Sequence, residues 1–435
     1  MPAPADPRAG RAAFTHPAFV LFQIARFLMV AAVEMQAVAV GWQVYEITKR
    51  PLDLGFVGLA QFLPAILLFP ISGHASDHFE RRHVLSACYA GYAVCFALLL
   101  ALAQRGMHSV TAIYVVLIVL GTVRSFNGTA SRSILPQLVP EEHFPNAVAW
   151  NATTFQAATI LGPSFGGILY ALSRGPSLVY ATALITAIAA LISTFRIKTQ
   201  VRARPRDTVA LKGMTWSSVF AGLHFIWRQK LILGAISLDL FAVLLGGAVA
   251  LLPVYAREIL HTGPWGLGLL RTAPGVGAAV MAVLLAHRPL RGRSGVILLW
   301  SVASFGVFTI LFGISRSLIL SLIALLFLGA SDMVSVIIRA TLTQLATPDE
   351  MRGRVTAVDM IFIGASNEFG QFESGLTAQW FGTVPAVVLG GIGTLVVIGL
   401  WAWLFPALRQ AGDLTSIKST PLEAASEAAE RGTTL

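Results

Sequence analysis

Residues 384–405 read VPAVVLGGIGTLVVIGLWAWLF, from Val384 to Phe405 without a charged side chain. That run decides the class of fold. About 20 apolar residues in an α-helix reach across the hydrocarbon of a bilayer, and comparable blocks recur at Phe19–Tyr45, Val84–Ala103, Val110–Leu120 and Leu178–Phe195. A membrane barrel would show short segments of alternating polarity instead, so the backbone polar groups must be satisfied within helices. Across all 435 residues, 56% are hydrophobic and 12% charged, about half the charge of an average soluble domain. A water-soluble fold of this length has no means of covering so much apolar surface.

Outward from that run, the apolar blocks predict spans near residues 19–45, 52–72, 84–103, 109–130, 147–172, 178–195, 231–255, 264–286, 296–315, 318–338, 357–380 and 384–405. The expected fold is an all-α integral membrane protein of twelve transmembrane helices, in two pseudo-symmetric six-helix bundles at 19–195 and 231–405. Residues 1–18 are polar, carry Arg8 and Arg11, and lack the apolar core and small-residue cleavage site of a signal peptide. They read as a cytoplasmic N-terminal segment. Residues 196–230 form a cytoplasmic linker in which Arg202, Arg204 and Arg206 suit anionic lipid, followed by an amphipathic run from Trp216 to Trp227. The tail, 406–435, turns polar and its composition predicts disorder. Cys88 and Cys95 are seven helical residues apart, about 10 Å, too far for a disulfide; they read as small core residues.

The net charge of +10 invites a nucleic-acid reading, and its distribution excludes one. With the N-terminus inside, the inner segments hold 22 Lys and Arg and the outer loops six, while Arg26, Arg124 and Arg271 fall within spans. This asymmetry places both termini in the cytoplasm, and the partner that the charge serves is the lipid bilayer.

A repeat supports the six-plus-six division. Leu120-Gly121, Gln137-Leu138, Pro140-Glu141-Glu142 and Asn151 recur as Leu328-Gly329, Gln344-Leu345, Pro348-Asp349-Glu350 and Asp359, and Pro64 and Arg81 recur as Pro274 and Arg291. Two homologous halves suit a transporter whose site lies at the midplane between repeats.

Between the second and third spans stand Gly73, Asp77, Arg81 and Arg82. Gly73 permits close approach of a neighbouring helix, Asp77 can accept hydrogen bonds from helix N-terminal amides, and Arg81 stands one turn on, placed for an ion pair. The run resembles the loop signature G-x-x-x-D-R-x-x-R-R of the major facilitator superfamily, with His78 where Arg is usual. Arg124-Ser125-Phe126-Asn127-Gly128 resembles a second pattern of that superfamily, R-x-x-q-G. Gly162, Pro163, Gly166 and Gly167 match G-P-x-x-G-G, which in the superfamily marks antiporting exporters. Physically, Pro163 bends its helix and the glycines admit another helix at backbone distance. His16-Pro17-Ala18-Phe19, Trp42 to Thr48 and Thr347 to Val355 are similar to the branch of siderophore and macrolide exporters. This resemblance implies a multi-pass protein of the bacterial inner membrane that acts without a cofactor, on a proton gradient, exporting a small molecule; it is expected to be monomeric.

Six carboxylates lie in the expected spans: Glu34, Asp239, Asp332, Asp359, Glu368 and Glu373. Ionisable residues in a bilayer mark functional sites. Asp359, near a helix end, reads as an interfacial residue. The repeat sets Arg124 at the position of Asp332 and Arg26 at that of Asp239, which suggests ion pairs across the two halves. In the eleventh span Asn367, Gln371 and Ser374 share one face, flanked by Glu368 and Glu373, and are expected to line the pathway. The function expected is proton-coupled efflux of a drug or siderophore, with proton-symport uptake or a transporter-derived sensor as alternatives. An enzyme is not expected, since no catalytic triad, metal-spaced histidine pair or phosphate loop is found.

Overall fold

The computed structural model describes residues 9–68, 71, 72, 75, 78–106, 109–197, 216–288, 290 and 292–413. Its main helices are α1 Pro17–Thr48, α2 Pro51–Leu67, α3 Arg81–Gln104, α4 Val110–Ile134, α5 Phe144–Ser173, α6 Ser177–Phe195, α7 Trp216–Arg228, α8 Lys230–Leu245, α9 Gly263–His287, α10 Ser294–Ile314, α11 Leu318–Ala346, α12 Asp349–Phe381 and α13 Thr383–Leu404. Among the described residues there is no strand. Among the described residues ten helical segments are long and apolar enough to cross a membrane; α2, with 17 described residues, and the more polar α12 fall outside that measure. Most of the linker and of the tail, and residues 1–8, lie outside the described residues.

The chain forms two compact units. The first comprises residues 1–49, 60–213 and 263–272, the second 50–59, 214–262 and 273–435. In the first, α1 packs on α5 and α6, and α3 on α4 and α6. Small residues set these approaches: a Cβ on Gly166 would lie 2.8 Å from the Met35 Cα, and one on Gly91 2.8 Å from the Val123 side chain. A 3-10 segment, Ala9–Thr15, is tied to the start of α5. There Ala13 N–H donates to Asn146 Oδ1 at 3.1 Å, Phe14 meets Trp150 edge-on, and the His16 and His143 rings share a hydrogen bond of 3.0 Å.

In the second unit α8 packs on α12 and α13, α10 on α11 and α13, and α7 on α12. The repeat is visible in the packing. Gly121 lies against the backbone of Gln61 on α2, and its counterpart Gly329 against the backbone of Pro274 on α9.

Two expectations about helix bounds are corrected. The seventh span is not one helix. It breaks after Leu245 at Gly246-Gly247 and continues as a 3-10 turn, Ala248–Leu251, and a π-helical turn, Tyr255–Ile259. Two adjacent glycines weaken the helix there, and Gly247 sits against the Gly370 backbone with no room for a side chain. Helices α11 and α12 also run well past the expected ends, to Ala346 and from Asp349. Hydropathy drops over these turns, yet Ile338, Leu342, Met351 and Val355 remain buried and hold the helix in place.

Candidate functional site

Helix α5 carries the glycine-proline run. Gly162 and Gly166 face α1 at Ala31, Glu34 and Met35, whereas Gly167 faces the first turns of α9, where a Cβ would lie 3.0 Å from the Gly268 Cα. Beside Pro163, which lies inside α5, Thr272 Oγ1 donates to the Ile160 carbonyl at 2.9 Å and shares a hydrogen bond of 2.8 Å with Ser164 Oγ. The residue before it, Arg271, interacts electrostatically with Glu34, as does Arg124 of α4. Arg124 is exposed, on the same face as Gly128, where an added Cβ would meet no atom within 4 Å. One carboxylate thereby lies in the field of two guanidinium groups. Arg26 stands about two turns before Glu34 on α1, stacked over the Phe155 ring at 5.4 Å and close to the buried Tyr89.

The second unit holds a second charged centre. Asp239 of α8 forms an ion pair with Arg339 of α11, and both are buried, at 8% and 4% exposure. Asp359 of α12 interacts electrostatically with the same guanidinium, and its Oδ1 is buried with no hydrogen-bond partner among the described residues. The partner expected for Asp239 from the repeat, Arg26, is replaced by Arg339, a residue that the expected span ends had put in a loop. Asp359 likewise lies ten residues into α12 rather than near a helix end. A readable signal existed for Arg339: Asp332, Ser335 and Arg339 stand at i, i+3 and i+7, one helical face. Asp332 has no ion pair or hydrogen bond among the described residues.

The expected polar face of α12 is divided by its neighbours. Gln371 Nε2 donates to Glu368 Oε2 at 3.0 Å, and both abut Gly58 of α2, where a Cβ would lie 2.9 Å from that oxygen. Ser374 is buried against Gly247, Asn367 is exposed and bonds its own helix at the Ile363 carbonyl, and Glu373 accepts from Thr377 at 2.7 Å. In the loop signature, Gly73 and Asp77 lie outside the described residues. Arg81 and Arg82 hold helix ends: Arg81 Nη1 donates to the Ser133 carbonyl of α4 at 2.9 Å and Arg82 Nη1 to the Ile197 carbonyl just past α6 at 2.8 Å. Cations at helix C-termini meet the negative end of the helix dipole.

The comparisons agree with this architecture. A family described as transmembrane secretion effector matches residues 9–433. The enterobactin exporter EntS of Salmonella typhi is 26% identical over 412 residues, covering 94% of this chain and 95% of that protein. YfiS of Bacillus subtilis, described as an uncharacterized MFS-type transporter, is 25% identical over 371 residues, covering 82% and 85%. Among solved structures, a D-xylose-proton symporter superposes with a TM-score of 0.67 at 15% identity, over 89% of this chain and 97% of that one. A bacterial homolog of the human lysosomal transporter Spinster gives 0.69 at 13% identity, over 91% and 97%. Those two likenesses speak for the fold alone. The protein is a multi-pass membrane transporter and not an enzyme, and with a family match over nearly its whole length the chain belongs to the transmembrane secretion effector family of the major facilitator superfamily.

Proposed function

We propose that this protein exports a small amphiphilic organic molecule, a siderophore or a hydrophobic drug, from the bacterial cytoplasm in exchange for protons. One observation carries the reading: the exporter-type run of α5 packs its glycines directly on the turn of α1 that bears Glu34, a carboxylate in the field of Arg124 and Arg271. A helix seam beside a charged centre links substrate-dependent packing to a group that can carry a proton. A guanidinium keeps its charge at any physiological pH, so Arg124 and Arg271 act by neutralising Glu34 or an anionic substrate group. The carboxylates are the groups that exchange protons. Similarity to the enterobactin exporter supports efflux and a siderophore-sized cargo. In this reading twelve helices cross the membrane with both termini inside, and a single chain works by alternating access without a cofactor.

The test uses a bacterial strain deleted for its own siderophore and drug exporters. Restored secretion of enterobactin, or restored tolerance to ethidium, supports the reading. Inside-out vesicles then fix direction and coupling: accumulation of the active probe driven by an acid interior is efflux, while accumulation in right-side-out vesicles driven by an acid exterior would establish uptake by symport instead.

A further inference from the structure

Three charges in the second unit do not balance: Asp239 and Arg339 are buried, and Asp359 is half-buried with its Oδ1 out of solvent. Arg339 is ion-paired with Asp239, and Asp359 stands in the field of the same guanidinium with a buried oxygen that no described residue bonds. Two carboxylates and one guanidinium leave one negative charge uncompensated, and an uncompensated charge inside a membrane protein is costly. Among the described residues the neighbouring elements do not supply the missing cation. Helix α9, whose Pro274 and Gly277 lie against α11, brings His287 and Arg288 only at its exposed end, and Arg293 before α10 is exposed too. Helices α10 and α13 contain no ionisable residue. Helix α7 and the start of α8 bring His224, Arg228 and Lys230, all exposed, and the first turns of α12 bring Arg352 and Arg354, also exposed, with Asp349 and Glu350. Arg352 is engaged by Asp349 at 2.6 Å, and Arg409 beyond α13 is exposed. The other charges on α11 and α12 are the acids Asp332, Glu368 and Glu373, which add to the imbalance.

We propose that Asp239, Arg339 and Asp359 bind the proton that this protein takes up, with Asp359 as the acceptor. Arg339 is committed to Asp239, so Asp359 is the carboxylate left over. One proton from water converts it to the neutral acid and takes the cluster from one net negative charge to none; release restores the charge. Movement of Arg339 toward Asp359 then expels the proton to water and leaves Asp239 as the carboxylate without a cation. This inference rests on the proton-coupled reading above and assigns that coupling to the second unit, with Glu34 left to the first.

Infrared spectroscopy of the full chain, reconstituted in vesicles of phosphatidylethanolamine and phosphatidylglycerol, tests the assignment without any substrate. The carbonyl stretch of a protonated carboxylic acid is followed against pH. Asp359→Asn should remove one titrating component that Asp332→Asn retains. Asp239→Asn should remove it as well, since a one-to-one pair between Arg339 and Asp359 needs no proton, and this variant serves if the first fails to fold. Arg339→Gln should add a component, because two carboxylates then lack a cation. A component unchanged in both Asp359→Asn and Asp239→Asn overturns the proposal. Efflux of enterobactin and ethidium driven by a pH gradient is measured on the same vesicles. If the wild type shows none while the component is present and responds to the variants, the transport reading fails and the proton site stands. If the wild type is driven by pH and Asp359→Asn is driven equally well, the site assignment fails and the reading stands.

Discussion

Gly162 of α5 stands so close to Glu34 of α1 that a methyl group on it would lie 2.6 Å from the Glu34 Cβ and 3.1 Å from the Ala31 carbonyl oxygen. The glycine-proline run and the half-buried Glu34 are therefore one packing unit. The missing side chain at position 162 is what lets the charged turn of α1 lie against α5 beside Pro163, and Arg124 and Arg271 add to its electrostatic surroundings. A change in the seam between α1 and α5 must alter where Glu34 sits.

Gly162→Ala and Gly166→Ala should each force α1 and α5 apart. Overpacking of a closed seam costs about 1–3 kcal/mol, and at position 166 the obstacle is the Met35 backbone rather than a flexible side chain. Thermal unfolding in detergent should report a lowered midpoint for both. Gly399→Ala, where an added Cβ meets nothing within 4 Å, is the control; it should be neutral or stabilising by up to about 1 kcal/mol through helix propensity. Equal midpoints for all three variants would show that the seam is looser than it looks.

Arg339→Ala should be among the most damaging substitutions in the second unit. Removing one partner of a buried ion pair costs about 3–5 kcal/mol, because the other charge is left without compensation. The double substitution Asp239→Asn with Arg339→Gln removes both charges and should recover a good part of the loss. A double-mutant cycle on unfolding midpoints measures the coupling; a coupling near zero would mean that the two residues do not depend on each other.

Arg81→Ala removes a charge-assisted hydrogen bond to the Ser133 carbonyl at the end of α4, an interaction worth about 1.5–3 kcal/mol. Asp77→Asn, in the same loop signature, should lower transport while leaving insertion and expression intact. If both variants transport at the wild-type rate, the loop acts only in topology and not in the transport cycle.

Orientation is open to a direct check. Cysteines introduced at Ser109 and at Thr208 should differ in intact cells, with an impermeant thiol reagent labelling position 109 and not position 208. The native Cys88 and Cys95 are buried, with no disulfide, so the background is low. Labelling of 208 alone would invert the topology read from the charge asymmetry.

Much of the fold was legible because apolar runs are a property of composition: residues 384–405 were read from hydropathy, and the helix runs Thr383–Leu404. Helix ends were less legible. Around Arg339 and Asp359 the sequence is amphipathic, and only burial of Ile338, Leu342 and Val355 keeps those turns helical. The charged residues themselves announced the candidate site, since Glu34, Arg124, Asp239 and Asp332 interrupt apolar blocks. Their partners did not, because pairing depends on how each helix is rotated about its axis. The repeat aligned Asp239 with Arg26 by position along the chain, whereas the guanidinium that reaches it comes from α11.

Coupling between protons and cargo can be divided between the two charged centres by comparing two modes of transport. Net efflux driven by a pH gradient requires proton movement in each cycle, whereas exchange between equal pools of cargo does not. A carboxylate that carries the proton is therefore needed for the first mode and dispensable for the second. Glu34→Gln removes a carboxylate that interacts electrostatically with Arg124 and Arg271. It should abolish pH-driven efflux and spare exchange if Glu34 is a carrier. Asp332→Asn removes a carboxylate with no partner among the described residues and should behave in the same way if Asp332 loads protons, or be silent if it does not. Arg124→Ala should impair both modes, because it deprives Glu34 of a neutralising charge in every state of the cycle. Arg124→Lys should restore only part of the loss, since a compact ammonium lacks the planar fork that a guanidinium presents to carboxylates. The measurement is uptake of labelled enterobactin or ethidium into inside-out proteoliposomes, with and without an acid interior. Retention of pH-driven transport in Glu34→Gln and Asp332→Asn alike would remove both from the coupling path and leave Asp359, Glu368 and Glu373 as the carboxylates to test.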